Sequence, residues 1–231
     1  MTPGSIPIQA AVFDRDGVLA WLDVAAVQAF FGPLLPIDIG ALAQRWIVWN
    51  DRAGAVRTVD AEAAYMAAFW AWLAGDLGLD ADTLARLTAF DYMTVLHPFP
   101  DAAPALRAAR VRGLRVGVLS NFSLASLPAS LAALGLADLV DASVAARADG
   151  PAKPAAAAYQ AIARALAVPP AACLYFDDEI DCVAGARAAG MRAYHVDRRA
   201  GHVVPADGVV RDLAALVAIL DDAGVPAPGG R

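Results

Sequence analysis

Ile8-Gln9-Ala10-Ala11-Val12-Phe13-Asp14-Arg15-Asp16-Gly17-Val18-Leu19 decides the reading of this chain. The apolar run from Ile8 to Phe13 has the composition of a buried strand. It ends in a pair of carboxylates two residues apart, then a glycine that can turn the backbone without a Cβ clash. Open α/β sheets place ligands at the carboxyl ends of their strands, so acids delivered to that edge point to chemistry there. In an Asp-x-Asp pair, one carboxylate can bind Mg²⁺ through one oxygen and attack phosphorus with the other. The second can give a proton to the leaving oxygen and later take one from water. The same spacing also fits a strand-end turn with solvated acids. An EF-hand loop shares the opening, but it needs an oxygen ligand and then glycine where this chain has Val18 and Leu19.

Composition narrows the class. A chain of 231 residues can bury a sizeable core as one large domain or two small ones. Its formal net charge of -6 gives no general attraction to nucleic acid or an anionic membrane, so neither is expected as a partner. The apolar fraction of 59% is largely alanine. No uncharged apolar run reaches the length of about 18 residues that a spanning helix needs. The nearest, Val24 to Ile37, is interrupted by Gln28, Gly32, Pro33 and Pro36. No basic-then-apolar leader is visible, and Cys173 and Cys182 form neither a disulfide framework nor a zinc spacing. The cytoplasm is the expected compartment. Of the 18 basic residues only Lys153 is lysine. In so arginine-rich a chain, either codon bias explains the composition, or the remaining lysine marks a place where arginine will not serve.

The strand over Ile8–Phe13 is followed by a long helical pattern to about Phe90. Val24, Val27, Phe30 and Phe31 share one face, and Leu42, Arg45, Trp46 and Trp49 mark a second helix. Asp60 is the expected N-cap of a third helix to Leu77, and Asp80 or Asp82 starts a fourth. Nothing here alternates as a strand. After Pro100 the α/β rhythm returns. Strands are expected over Arg115–Ser120, Leu139–Val144, Ala172–Phe176 and Arg192–Val196. Helices are expected over 101–112, with Asp101 as cap, and over 123–134, 154–167, 179–189 and 212–222. The fold class is therefore α/β, a three-layer, Rossmann-like core around a parallel sheet, with an inserted helical region.

Four candidate sites fall at strand ends or helix starts. Asp14 with Asp16 is the first. Ser120-Asn121 closes a strand before a helix, where a hydroxyl and free backbone N–H groups suit either a phosphate or a plain N-cap. Lys153 stands between Ala152 and Pro154, in a segment stiffened by Pro151 and Pro154. A compact ammonium there can bind a phosphate oxygen and a carboxylate together. Asp177-Asp178 ends an apolar strand, and adjacent buried acids repel unless a cation sits between them.

Acid pair, Ser-Asn, Lys-Pro and acid pair, in that order and each separated by a βα unit, resemble the haloacid dehalogenase-like hydrolase superfamily. The similarity is to the branch with a helical cap inserted after the first motif, and it runs from about Val12 to Val196. It implies a core of residues 1–18 and 94–231 and a cap of 19–93. It implies Asp14 as the nucleophile that forms an aspartyl-phosphate and Asp16 as general acid/base, with its main-chain carbonyl on the metal. Ser120 and the Asn121 amide hold the phosphate, Lys153 orients and neutralises it, and Asp178 binds Mg²⁺, with Asp177 on the ion directly or through water. Relatives that release halide lack an acid at the position of Asp16, so the resemblance favours a phosphatase of a small phosphorylated metabolite such as a sugar phosphate. A phosphomutase and a non-catalytic module that kept the fold are the alternatives. Arg15, Ala155 and Cys182 depart from the family pattern. Arg45, Asn50, Arg52, Arg57, Trp46, Trp49, Trp70 and Trp72 are the cap residues from which substrate contacts are expected, while His97, His195 and His202 have no visible role.

Overall fold

A computed structural model describes residues 6–200 and 208–227. The chain begins with β1 (Ala10–Phe13) and β2 (Ala20–Leu22), then enters four helices. These are α1 (Val24–Phe31), α2 (Ile39–Ala53), α3 (Val59–Leu77) and α4 (Ala81–Thr88). It returns through β3 (Leu96–Pro98), α5 (Ala102–Val111), β4 (Arg115–Ser120), α6 (Leu127–Ala133), β5 (Ala142–Ala145) and α7 (Ala146–Asp149). It ends with α8 (Ala156–Ala165), β6 (Cys173–Asp177), α9 (Ile180–Ala188), β7 (Arg192–Val196), β8 (Val209–Val210) and α10 (Leu216–Asp222).

Six strands form one parallel sheet in the order β5-β4-β1-β6-β7-β8. Alternate residues of β1 enter opposite layers, as pleating requires. Ala11 and Phe13 pack with Val116, Val118, Leu174 and Phe176, while Ala10 and Val12 pack with Leu119, Cys173 and Tyr175. Both faces are covered by helices, which is why the strand reads as a continuous apolar run. The winding direction reverses at β1, because β4 and β5 lie to one side and β6, β7 and β8 to the other. Phe13 is in register with Val118 and Phe176. Asp14, Ser120 and Asp177 therefore meet at one edge, at the topological switch point where such sheets bind ligands.

The four inserted helices pack around a separate apolar cluster that includes Val27, Phe31, Phe69, Trp70, Leu73 and Leu87, with Trp46, Trp49 and Trp72 half-buried at its margin. Side chains of Asp23, Asp38, Thr58 and Asp80 each accept a backbone N–H at the start of one helix. Thr58, not Asp60, caps α3; Asp60 lies in the first turn, where its charge suits the helix N-terminus. The insert is not purely helical at its ends. β2 and β3 pair antiparallel, with Trp21 opposite His97. No described helix is long and apolar enough to cross a membrane.

Other boundaries shift for local reasons. α6 starts at Leu127, leaving 123–126 as loop, and α8 starts at Ala156, two residues after Pro154. β5 begins at Ala142, because Ala137–Leu139 forms a 3₁₀ turn. Asp101 makes no capping bond to α5. Its carboxylate instead accepts from the Arg198 guanidinium and from the Leu213 backbone N–H. His202 lies outside the described residues.

Candidate active site

A cavity of about 260 Å³ opens at the carboxyl edge of β1, β4 and β6. Six of the seven motif residues singled out in the sequence line it: Asp14, Asp16, Ser120, Asn121, Lys153 and Asp178. Gly17, Trp46, Phe122, Ser123 and Glu179 complete the lining.

Asp14 follows β1 directly and is only 6% exposed. Its Oδ1 accepts the Arg15 backbone N–H at 2.8 Å and faces Lys153 Nζ at 3.0 Å. Lys153 Nζ also lies 2.8 Å from Asp177 Oδ2. Burial alone would lower the Lys153 ammonium, but the facing carboxylates of Asp14 and Asp177 outweigh it and hold the group charged. Burial pushes the Asp14 carboxyl up to about 8; Lys153 opposes that rise and the nearby Asp177 adds to it. One ammonium thus faces two buried carboxylates, and ionising both would leave a net negative charge at the strand edge for a further cation to offset.

That edge fits a hard divalent cation. Asp14, Asp177 and Asp178 each offer an oxygen within 4.8 Å of the others. Carboxylate oxygens are the ligands Mg²⁺ takes. The donors are unequal. Both oxygens of Asp177 are engaged: Oδ2 accepts from Lys153 Nζ and the Tyr175 hydroxyl, and Oδ1 accepts the Glu179 backbone N–H. Asp177 is fully buried, whereas Asp178 is exposed to the cavity. Asp178 lies against Gly17, where an added Cβ would overlap its carboxylate, and Gly17 has a φ of +74°. The glycine thus does two jobs, turning the chain after the acid pair and leaving room for Asp178.

Ser120 ends β4 and is 2% exposed. The Asn121 side chain does not point freely at the cavity. Its Nδ2 donates to the Lys153 carbonyl at 3.1 Å, and its Oδ1 accepts the Lys153 N–H at 2.8 Å. This reciprocal pair fastens the lysine loop to the end of β4. Of the cap candidates, only Trp46 lines the cavity. Asn50 lines a neighbouring opening, Arg45 pairs with Asp76, and Trp70 is core.

Arg198, Glu62 and its partner Ser126 support the site and carried no sequence signal. Arg198 donates to the carbonyls of Gly17 and Val18 at 3.1 and 2.5 Å, and it pairs with Asp101. It ties the turn after Asp16 to the start of α5. Glu62 of α3 accepts both the backbone N–H and the hydroxyl of Ser126, at 2.9 and 2.6 Å. This contact joins the helical insert to the loop after β4. Each pairing spans dozens of residues, so no local spacing betrays it.

The sequence profile of the haloacid dehalogenase-like hydrolases matches residues 8–190. A phosphatase of Mycobacterium tuberculosis is 44% identical over 94% of this chain and 99% of its own length. Among solved structures, L-2-haloacid dehalogenase from Xanthobacter autotrophicus superposes with a TM-score of 0.66 at 26% identity, covering 93% of this chain and 98% of that one. A HAD phosphatase from Thermococcus onnurineus shares the fold with a TM-score of 0.64 at 22% identity, over 95% of this chain and all of its own.

Proposed function

The chain belongs to the haloacid dehalogenase-like hydrolases, and from that premise we propose that it is a Mg²⁺-dependent phosphatase of a small phosphomonoester, working through an aspartyl-phosphate on Asp14. The observation that carries the reading is the convergence of Asp14, Asp16, Lys153 and Asp178 on one cavity.

In this reading an Asp14 oxygen attacks phosphorus as the bond to the leaving alcohol breaks. The electron pair stays on the alcohol oxygen, which takes the proton held by Asp16. Water then attacks the phosphorus of the aspartyl-phosphate and gives its proton to Asp16, and the Asp14 carboxylate leaves. Lys153 neutralises the transferred oxygens, which is the larger part of what phosphoryl transfer requires of a protein. The Ser120 hydroxyl and the backbone at Asn121 hold the phosphate, and Asp177 holds Lys153 in place. Asp14, Asp178 and the Asp16 carbonyl would hold Mg²⁺, and Asp177 belongs to the same acidic edge. When bound, the ion would supply further charge neutralisation at the phosphoryl oxygens.

The acid at Asp16 separates this reading from halide release, since a halide leaves without a proton. Residues 19–93 act as the cap over a core of 1–18 and 94–231, and Trp46 is its contribution to the cavity wall. Apart from Lys153 and the ion that Asp14 and Asp178 would hold, the charged lining residues are Asp16 and Glu179, both acidic. A second anionic group on the substrate is therefore disfavoured. The leaving group is compact and uncharged, a sugar or similar alcohol with one face on Trp46 and Phe122. The net charge of -6 likewise suits a soluble metabolite in the cytoplasm better than a polyanion or membrane.

The test is phosphate release, with Mg²⁺, from monoesters of neutral alcohols beside esters that carry a carboxylate or a second phosphate. Preference for the neutral series supports the reading. An isomerised sugar phosphate in place of free phosphate would instead identify a mutase.

A further inference from the structure

Arg15 stands between the two aspartates in sequence, and its side chain folds back onto the second. Nε donates to Asp16 Oδ1 at 3.1 Å and Nη2 donates to Asp16 Oδ2 at 2.9 Å. Nη1 donates to Ser130 Oγ at 2.9 Å. Ser130 is fully buried and donates its own proton to the Leu127 carbonyl, so its oxygen is free to accept. The guanidinium carbon lies 4.2 Å from the Phe122 ring centroid. The Arg15 side chain is 4% exposed, whereas that of Asp16 is 55% exposed.

These contacts make a buried side chain hold an exposed one. A short carboxylate with most of its surface in water has little of its own to fix its rotamer. A planar fork that meets both oxygens fixes distance and direction together. Neighbouring side chains normally diverge, and here the turn brings them together: the N–H groups of Leu19 and Ala20 both bond to the Arg15 carbonyl. Arg15 is in turn held by Ser130 of α6 and by the Phe122 face, neither of which hydrogen-bonds Asp14 among the described residues.

We propose that Arg15 is a positioning residue for Asp16, and that its fork, anchored on Ser130, holds the carboxylate at the cavity wall in line with the leaving oxygen. The proposal rests on the general acid/base reading of Asp16. Its consequence is selective. An esterified alcohol with a high pKa needs its proton during bond breaking, whereas p-nitrophenolate scarcely does. A group misplaced by about 1 Å can cost on the order of 10² in rate.

The experiment is a double-mutant cycle on Arg15 and Asp16, read as kcat and KM on an alkyl phosphomonoester and on p-nitrophenyl phosphate, with Mg²⁺ present. Arg15→Gln is expected to lower kcat on the alkyl ester by roughly 10–10², to leave its KM in place and to spare p-nitrophenyl phosphate. In an Asp16→Asn background it is expected to cost nothing further, because the two groups act as one unit. Arg15→Lys keeps the charge without the fork and is expected to remain selectively impaired. Ser130→Ala removes the anchor, together with the Ser130 bond to the Leu127 carbonyl, and leaves the fork on Asp16 in place; it is expected to give the same selectivity with a smaller loss, so it decides the matter if Arg15→Gln fails to fold. Equal losses on both esters, or a loss that multiplies with Asp16→Asn, would overturn the proposal while leaving the role of Asp16 intact. If Asp16→Asn itself shows no leaving-group selectivity, the general-acid reading falls and the proposal falls with it.

Discussion

Lys153 Nζ sits 3.0 Å from Asp14 Oδ1 and 2.8 Å from Asp177 Oδ2, so the sole lysine of the chain bridges the acids that end two adjacent strands. The bridge is buried, with the lysine side chain 1% exposed. Arginine has a larger planar head and directs its donors differently. Lys153→Arg should therefore behave almost like Lys153→Ala, each losing on the order of 10²–10³ in kcat, the scale of one preorganised electrostatic donor. Steady-state kinetics on both variants check this, and an Arg variant with most of the wild-type rate would assign the lone lysine to codon bias.

Asp177 and Asp178 are neighbours with different surroundings, and their amide variants should separate. Asp178→Asn should raise the Mg²⁺ concentration needed for half-maximal activity and be partly rescued by more Mg²⁺. Asp177→Asn should release Lys153 and resist that rescue. Mg²⁺ titrations of activity on the two variants decide it; identical responses would give both acids one role.

Gly17→Ala should be costly although the residue carries no functional group. The φ of +74° is unfavourable for alanine by about 1–2 kcal/mol. The added Cβ would also push the Asp178 carboxylate from its place. Thermal melts should show the first effect. A weakening of Mg²⁺ activation by roughly 10–100-fold, the scale for disturbed support of a metal ligand, should show the second. Unchanged Mg²⁺ activation would remove Asp178 from the metal site.

Glu62→Ala deletes the acceptor for two donors of Ser126, which is 4% exposed. Leaving such buried donors unpaired costs about 1–3 kcal/mol. Denaturant unfolding should show the loss, and Glu62→Gln, which keeps an acceptor oxygen, should recover part of it.

The core of the fold was legible because its signals are local. Phe13, Val118 and Phe176 sit on strands buried on both faces, so each reads as an apolar run, and the chemistry follows each run directly. Asp14, Ser120 and Asp177 are thus placed at one edge by the sequence pattern itself. Other features were not local. β2 and β3 span three residues each, too short to alternate. Asp101 looks like a helix cap by position, yet Arg198, 97 residues later, competes for its carboxylate. Arg15 appeared only as a departure from a family pattern, because its role depends on Ser130, 115 residues away. Thr58 and Asp60 are both competent caps, and only the backbone conformation at 58 decides between them.

The central claim is that Asp14 is the nucleophile of a Mg²⁺-dependent phosphatase. It is tested most directly by phosphate release from a panel of phosphomonoesters, using wild type and Asp14→Asn, each with Mg²⁺ and after chelation. The account predicts turnover by the wild type that chelation abolishes and Mg²⁺ restores, and none by Asp14→Asn with its fold intact by thermal melt. Wild-type turnover by a pure, Mg²⁺-loaded Asp14→Asn protein would contradict it.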